Sequence, residues 1–288
     1  MTLLPALLAL GAAACFALGI HFQRSGLDFG SGRSGSMITV VSMGFCYWVL
    51  APFLIEWHWW GTHAALLFAA CGLVVPVAAQ HLQVKAVGHL GAAIAGSLST
   101  FAPVFAAIPA VLFLGEQFNF QAGLGFALML GGVAMIPFSQ ARLKRSFAIW
   151  ALLLPIGASF LRGVIQPIVK SGYAEVPSPF FAMLAMATVS ALVAMTLFGM
   201  TRQPEDNVSI GPGVYWFAIS GVMVAIGNYL IMLAISIGDI VVASPFTSTV
   251  PLWTLVFGYF IFRREQLTRW HLLIAAVICF GSVLLITR

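Results

Sequence analysis

Residues 80 to 89 read QHLQVKAVGH and directly follow AALLFAACGLVVPVAA, residues 64 to 79. Four polar side chains, Gln80, His81, Gln83 and Lys85, thus interrupt a run greasy enough for a membrane interior. Lys85, near the end of that run, can snorkel to the headgroups. His81 lies one turn deeper on the same helix face, since i and i+4 align. Snorkelling accounts for neither His81 nor Gln80, so the stretch reads as cavity lining. Arg162 sits about eight residues from the end of another apolar run, about 12 Å deep at 1.5 Å per residue. An arginine at that depth costs about 3 kcal/mol on insertion scales and usually faces a cavity. Asn228-Tyr229-Leu230 stands in the second half of the chain where Gln80-His81-Leu82 stands in the first. Gln80, His81, Lys85, Arg162, Asn228 and Tyr229 are therefore the candidate substrate-binding residues. Tyr47, Trp48 and Trp253 are candidates for an apolar subsite.

The sign of these groups selects a ligand. Glu56, Glu116, Asp239 and Glu265 all sit at the borders of apolar runs, and no acidic residue lies far inside one. Exporters of cationic drugs usually need an intramembrane carboxylate, whereas Lys85, Arg162 and the histidines suit a carboxylate or another anion. Protonation of His81 or His21 makes the proton a candidate coupling ion. Facilitated diffusion is equally compatible with the sequence.

The elements that must position these groups are membrane helices. The chain has 288 residues, 61% hydrophobic and 7% charged. Soluble domains carry about 25% charged residues, and no soluble globule of this size could hide so much apolar surface. The expected fold is all-α and integral to the membrane, in contact with lipid and a small-molecule substrate and not with nucleic acid. Cys15, Cys46, Cys71 and Cys279 lie in apolar runs without CxxC spacing and read as buried hydrophobes. No motif such as HExxH or GxSxG appears, so no enzyme, cofactor or metal site is expected.

A helix needs about 20 mostly apolar residues to cross the bilayer. Ten such spans are expected: Leu3–Gln23, Ser36–Ile55, Ala64–Val87, Leu90–Leu114, Gln121–Phe138, Phe147–Lys170, Pro179–Met200, Gly213–Ile237, Asp239–Phe262 and Arg269–Thr287. The sequence also repeats. GAAACFALGIHFQRSG, residues 11 to 26, aligns with GASFLRGVIQPIVKSG, residues 157 to 172, and FLGEQFNF, residues 113 to 120, with FRREQLTR, residues 262 to 269. Two five-helix repeats follow, residues 1–140 and 146–288. Five is odd, so the second enters the membrane inverted. Inverted repeats are an architecture of secondary transporters, with the substrate site near midplane between the halves. Pro103 and Pro251 occupy corresponding places and are candidate hinges, or static kinks. Ala102, Ala106 and Ala110, and likewise Gly123, Ala127 and Gly131, form small-residue stripes suited to close helix packing in lipid. Glu116 and Glu265 are expected to cap or tether the short turns before spans 5 and 10. Most basic residues, Arg24, Arg33, Arg142 and Arg145 among them, fall on the side where odd-numbered spans end, which the positive-inside rule places in the cytoplasm with both termini outside.

Residues 91 to 136, GAAIAGSLSTFAPVFAAIPAVLFLGEQFNFQAGLGFALMLGGVAMI, resemble the repeat of the EamA family of the drug/metabolite transporter superfamily. Small residues lead the helix, a proline sits mid-helix, a Gly-Glu ends it, and a Gly-rich helix follows. Residues 238 to 285 keep Pro251 and Glu265 but carry Arg264 in place of the glycine. The resemblance covers nearly the whole chain and implies a bacterial-type inner-membrane transporter, with aromatic amino-acid exporters as one plausible nearest relative. It also implies cytosolic termini, which opposes the charge bias. The expected function is secondary transport, as an exporter, of small carboxylate-bearing metabolites, amino acids foremost, by alternating access through a central cavity. Other organic anions such as sugar phosphates, or a channel, are the alternatives.

Overall fold

The computed structural model describes residues 3–117, 120–140, 149–201 and 211–263, with Val277 and Gly281. The expected tenth span, Arg269–Thr287, and the capping candidate Glu265 lie outside the described residues. Within them the chain is helical, with no strand. In order come α1 (Leu3–Gly26), α2 (Gly32–Leu54), α3 (His63–Val74), α4 (Val77–Leu90), α5 (Ala92–Leu98), α6 (Ala102–Leu114), α7 (Phe120–Gln140), α8 (Leu153–Gly172), α9 (Pro179–Thr201), α10 (Pro212–Ile237), α11 (Ile240–Phe246) and α12 (Val250–Phe260). Seven stretches among the described residues are long and apolar enough to cross a membrane, and Ala102–Leu114 is a shorter apolar helix.

Three expected spans are not continuous helices. Ala64–Val87 divides into α3 and α4 at Val75–Pro76, because Pro76 has no N–H to give the preceding turn. Leu90–Leu114 divides into α5 and α6 across a 3-10 turn at Ser99–Phe101, and Asp239–Phe262 into α11 and α12 across a 3-10 turn at Thr247–Thr249. Pro103 and Pro251 are the second residues of α6 and α12. A proline in a first turn breaks no hydrogen bond, since that N–H has no helical partner. The discontinuity therefore lies in the 3-10 turn before each proline. Broken helices at membrane depth are tolerated where they line a cavity or are buried in protein.

Small residues set the packing. Ala9, Ala13 and Ala17 are fully buried along α1, which runs against α10. From the α10 side Gly227 leaves room for the Phe16 ring, and the Ser220 hydroxyl donates to the Gly19 carbonyl at 3.0 Å. Where α6 meets α8, the buried stripe Ala102, Ala106, Ala110 faces Gly163, and a Cβ at Gly163 would meet the Ala102 carbonyl oxygen. The α7 stripe differs: Ala127 is exposed and a Cβ at Gly131 would meet nothing within 4 Å. Buried hydroxyls add cross-links between helices, Tyr47 to the Ala225 carbonyl at 2.7 Å and Ser42 to that of Ala218 at 2.9 Å. The contacts of α1 with α10, α2 with α9 and α6 with α8 all join the first half of the chain to the second.

Candidate functional site

A cavity of about 90 Å³ lies where α1, α4, α8 and α10 converge, closed by the breaks between α5 and α6 and between α11 and α12, and by α9. Its polar lining is a belt of amides. Gln23 comes from α1, Gln80 and Gln83 from α4, Gln166 from α8 and Asn228 from α10. Arg162, also on α8, is the one charged side chain in this lining. The 3-10 turns contribute Ser99 and Thr247, and Phe16, Met183 and Met186 supply apolar wall.

The belt is highly buried and only partly satisfied. Gln23, Gln80, Gln83 and Gln166 are each 5% exposed or less. The Gln83 Oε1 accepts from the Ser99 hydroxyl at 2.8 Å and from Arg162 Nη1 at 3.4 Å. Among the described residues no carboxylate pairs with Arg162. Among the described residues, Oε1 of Gln23, Nε2 of Gln80, Nε2 of Gln83 and Oε1 of Gln166 have no partner. A buried polar group left unsatisfied costs about 1–3 kcal/mol, so native interiors keep few of them unless solvent or a ligand completes the set. Two donors, two acceptors and one guanidinium thus surround one small volume.

The lining is also related to itself. Pro76 and Val224, Gln80 and Asn228, Gln83 and Ile231, Ser99 and Thr247, and Ala102 and Val250 are pairs 148 residues apart. Phe16 and Arg162, and Ile20 and Gln166, are 146 apart, the offset of the aligned segments at 11 and 157. Each broken helix presents its turn at the same register. The relation is broken chemically: Arg162 and Gln166 face Phe16 and Ile20, so the cation occupies one half only.

The candidate residues from the sequence separate into two groups. Gln80, Arg162 and Asn228 meet at the cavity. His81, Lys85 and Tyr229 do not line it. His81 Nδ1 shares a hydrogen bond with the Ser36 hydroxyl at 3.1 Å, on another face of α4, and Lys85 is exposed. Tyr229 packs edge-on against Phe180, with centroids 6.0 Å apart. Of the aromatic candidates, Tyr47 bonds Ala225, Trp48 donates to Thr188 Oγ1 at 2.9 Å and Trp253 stacks on Phe257. His21 Nε2 lies 2.8 Å from the Thr254 carbonyl oxygen and its ring stacks on Phe262. Gln23 and Gln166 are lining residues that the sequence reading passed over. For Gln166 a signal existed, since it follows Arg162 by four and shares its face.

Among the described residues Glu116 acts on α11. Its two carboxylate oxygens accept from the backbone N–H groups of Ile240 and Val241, each at 2.9 Å, at the start of α11. Lys170, near the end of α8, donates to Glu116 Oε1 and to the Gly238 carbonyl, both at 2.8 Å. The carboxylate thus completes a helix N-terminus, where negative charge is favoured, and ties α6 to α8 and α11. Glu175 does the same for α3, accepting from the N–H groups of His63 and Ala64. Among the described residues no group of three or more His, Cys, Asp or Glu could hold a metal ion.

The chain belongs to the EamA-like transporter family, whose sequence model matches residues 3–138 and again residues 149–288. Members of that family are membrane transporters of small molecules, not enzymes. Among 28 solved chains that match, one described only as a protein crystal structure superposes with a TM-score of 0.76. It is 13% identical, and the match covers 97% of this chain and 95% of that one. At that identity the likeness shows the fold alone. No curated protein matches.

Proposed function

We propose that the protein is a secondary transporter of the bacterial-type inner membrane, built as two inverted five-helix repeats, residues 1–140 and 146–288. It exports small carboxylate-bearing metabolites, amino acids and aromatic amino acids foremost, by alternating access through the central cavity. The observation that carries this reading is Arg162, a guanidinium in an amide belt with no carboxylate partner among the described residues. The substrate carboxylate takes Arg162 and the amide nitrogens of Gln80 and Gln83. The substrate ammonium takes the carbonyl oxygens of Gln23 and Gln166, with Asn228 beside them. The pairing of lining residues at a constant offset supports a site between two related halves. The turns before Pro103 and Pro251 are the points at which the halves would flex, and protons are the candidate coupling ion.

Uptake of labelled neutral and aromatic amino acids into proteoliposomes tests this. Wild type should take them up saturably. Arg162→Ala should raise KM about 10- to 150-fold, since a hydrogen bond to a charged group is worth about 1.5–3 kcal/mol. Lys85→Ala, off the cavity, should leave KM within about twofold. Saturable uptake unchanged by Arg162→Ala would refute the site. No amino-acid uptake by wild type, with uptake of sugar phosphates or other organic anions, would refute the substrate class.

A further inference from the structure

The face of α4 that carries His81 meets a second cleft. It lies between α2, the α3–α4 span and α9, and encloses about 380 Å³. Met37, Leu73, Val77, Val193 and Phe198 make its walls apolar. Its polar end is formed by Arg33, in the first turn of α2, with Ser36 and His81. The Ser36 hydroxyl fixes the His81 ring through Nδ1. Lys85, one turn further along α4, is exposed. Leu73 and Leu197 at the mouth are 57% and more than half exposed respectively, so the cleft opens on the outside of the helix bundle.

We propose that this cleft binds one anionic phospholipid, its phosphate at Arg33 and beside His81, and an acyl chain along the α9 wall. Apolar walls rule out a small hydrophilic anion as the better fit, because such an ion makes no use of them. A basic end between membrane helices recruits anionic headgroups. The charge bias of the loops sets that end in the cytoplasmic leaflet. The site is separate from the transport cavity but shares α4 with it. His81 faces the lipid while its neighbour Gln80 faces the cavity. This inference does not rest on the proposed substrate.

Native mass spectrometry of the full chain in detergent tests it, with phosphatidylglycerol and phosphatidylcholine of identical chains as probes. Wild type should retain phosphatidylglycerol about fivefold or more over phosphatidylcholine, as expected for about one effective basic contact. Arg33→Gln with His81→Gln should reduce the retention of phosphatidylglycerol to that of phosphatidylcholine. Val193→Phe, which fills the cleft and changes no charge, should reduce both. Arg24→Gln, a cation on the same side but outside the cleft, should change neither. Equal retention of the two lipids by wild type would overturn the proposal. So would selectivity that survives the double substitution and Val193→Phe, or is lost equally with Arg24→Gln, and so would displacement of the lipid by millimolar inorganic phosphate.

Discussion

Removing the Glu116 carboxylate should expose how firmly it ties the two halves of the chain. Glu116 is 5% exposed and Lys170 is 23% exposed, so the pair is screened little by solvent. Glu116→Ala deletes the acceptor for three donors: Lys170 Nζ and the N–H groups of Ile240 and Val241. Both of those residues are fully buried behind the carboxylate. Helix-cap deletions cost about 0.5–2 kcal/mol, and breaking a buried ion pair about 3–5 kcal/mol. Lys170 keeps the Gly238 carbonyl and some access to water, which brings the expected loss to about 2–4 kcal/mol. Lys170→Ala leaves Glu116 with both backbone donors and should cost about 1–2 kcal/mol. The double variant should lose less than the sum, with a coupling energy of about 1–2 kcal/mol. Unfolding of all four proteins in mixed micelles titrated with SDS measures the cycle. Additive losses, with coupling below about 0.3 kcal/mol, would show that the carboxylate and ammonium do not act as a unit and would refute the tie.

Other substitutions test the packing. Gly163→Ala should destabilise by about 1–3 kcal/mol, because its Cβ would meet the Ala102 carbonyl oxygen and lie 2.6 Å from Phe105 Cβ. Gly199→Ala, with nothing within 4 Å, should be neutral or stabilise by up to about 1 kcal/mol, and the same micelle titration separates the two. Tyr47→Phe removes the 2.7 Å bond to Ala225 and should cost about 0.5–1.5 kcal/mol. The Ala225 carbonyl belongs to α10, so a larger loss would mean that the hydroxyl holds more than one partner.

Hydropathy made most spans legible because each helix that crosses lipid must be apolar along its length. It could not reveal the breaks at Val75–Pro76, Ser99–Phe101 and Thr247–Thr249, since an average over about 20 residues passes across a three-residue turn. The site was legible where a polar residue stood alone in an apolar run, as Arg162 and Asn228 do. It blurred at QHLQVK because four polar side chains occupy two faces. Gln80 and Gln83 are three apart and share the cavity face, whereas His81 and Lys85 are four apart and share another. Gln23 escaped notice because it ends an apolar run, where a glutamine reads as the exit to water. Glu116 was recognised as a cap, but its helix is 124 residues away in sequence, and no local pattern names a partner at that distance.

The unequal halves of the cavity offer a handle for redesign. Phe16 stands at the repeat-related position of Arg162, and Ile20 at that of Gln166. Each half therefore names a residue that the other half's backbone already knows how to present. Phe16→Arg would set a second guanidinium across the same small volume and double its positive charge. A duplicated chain of this kind carries the template for its own change of cargo.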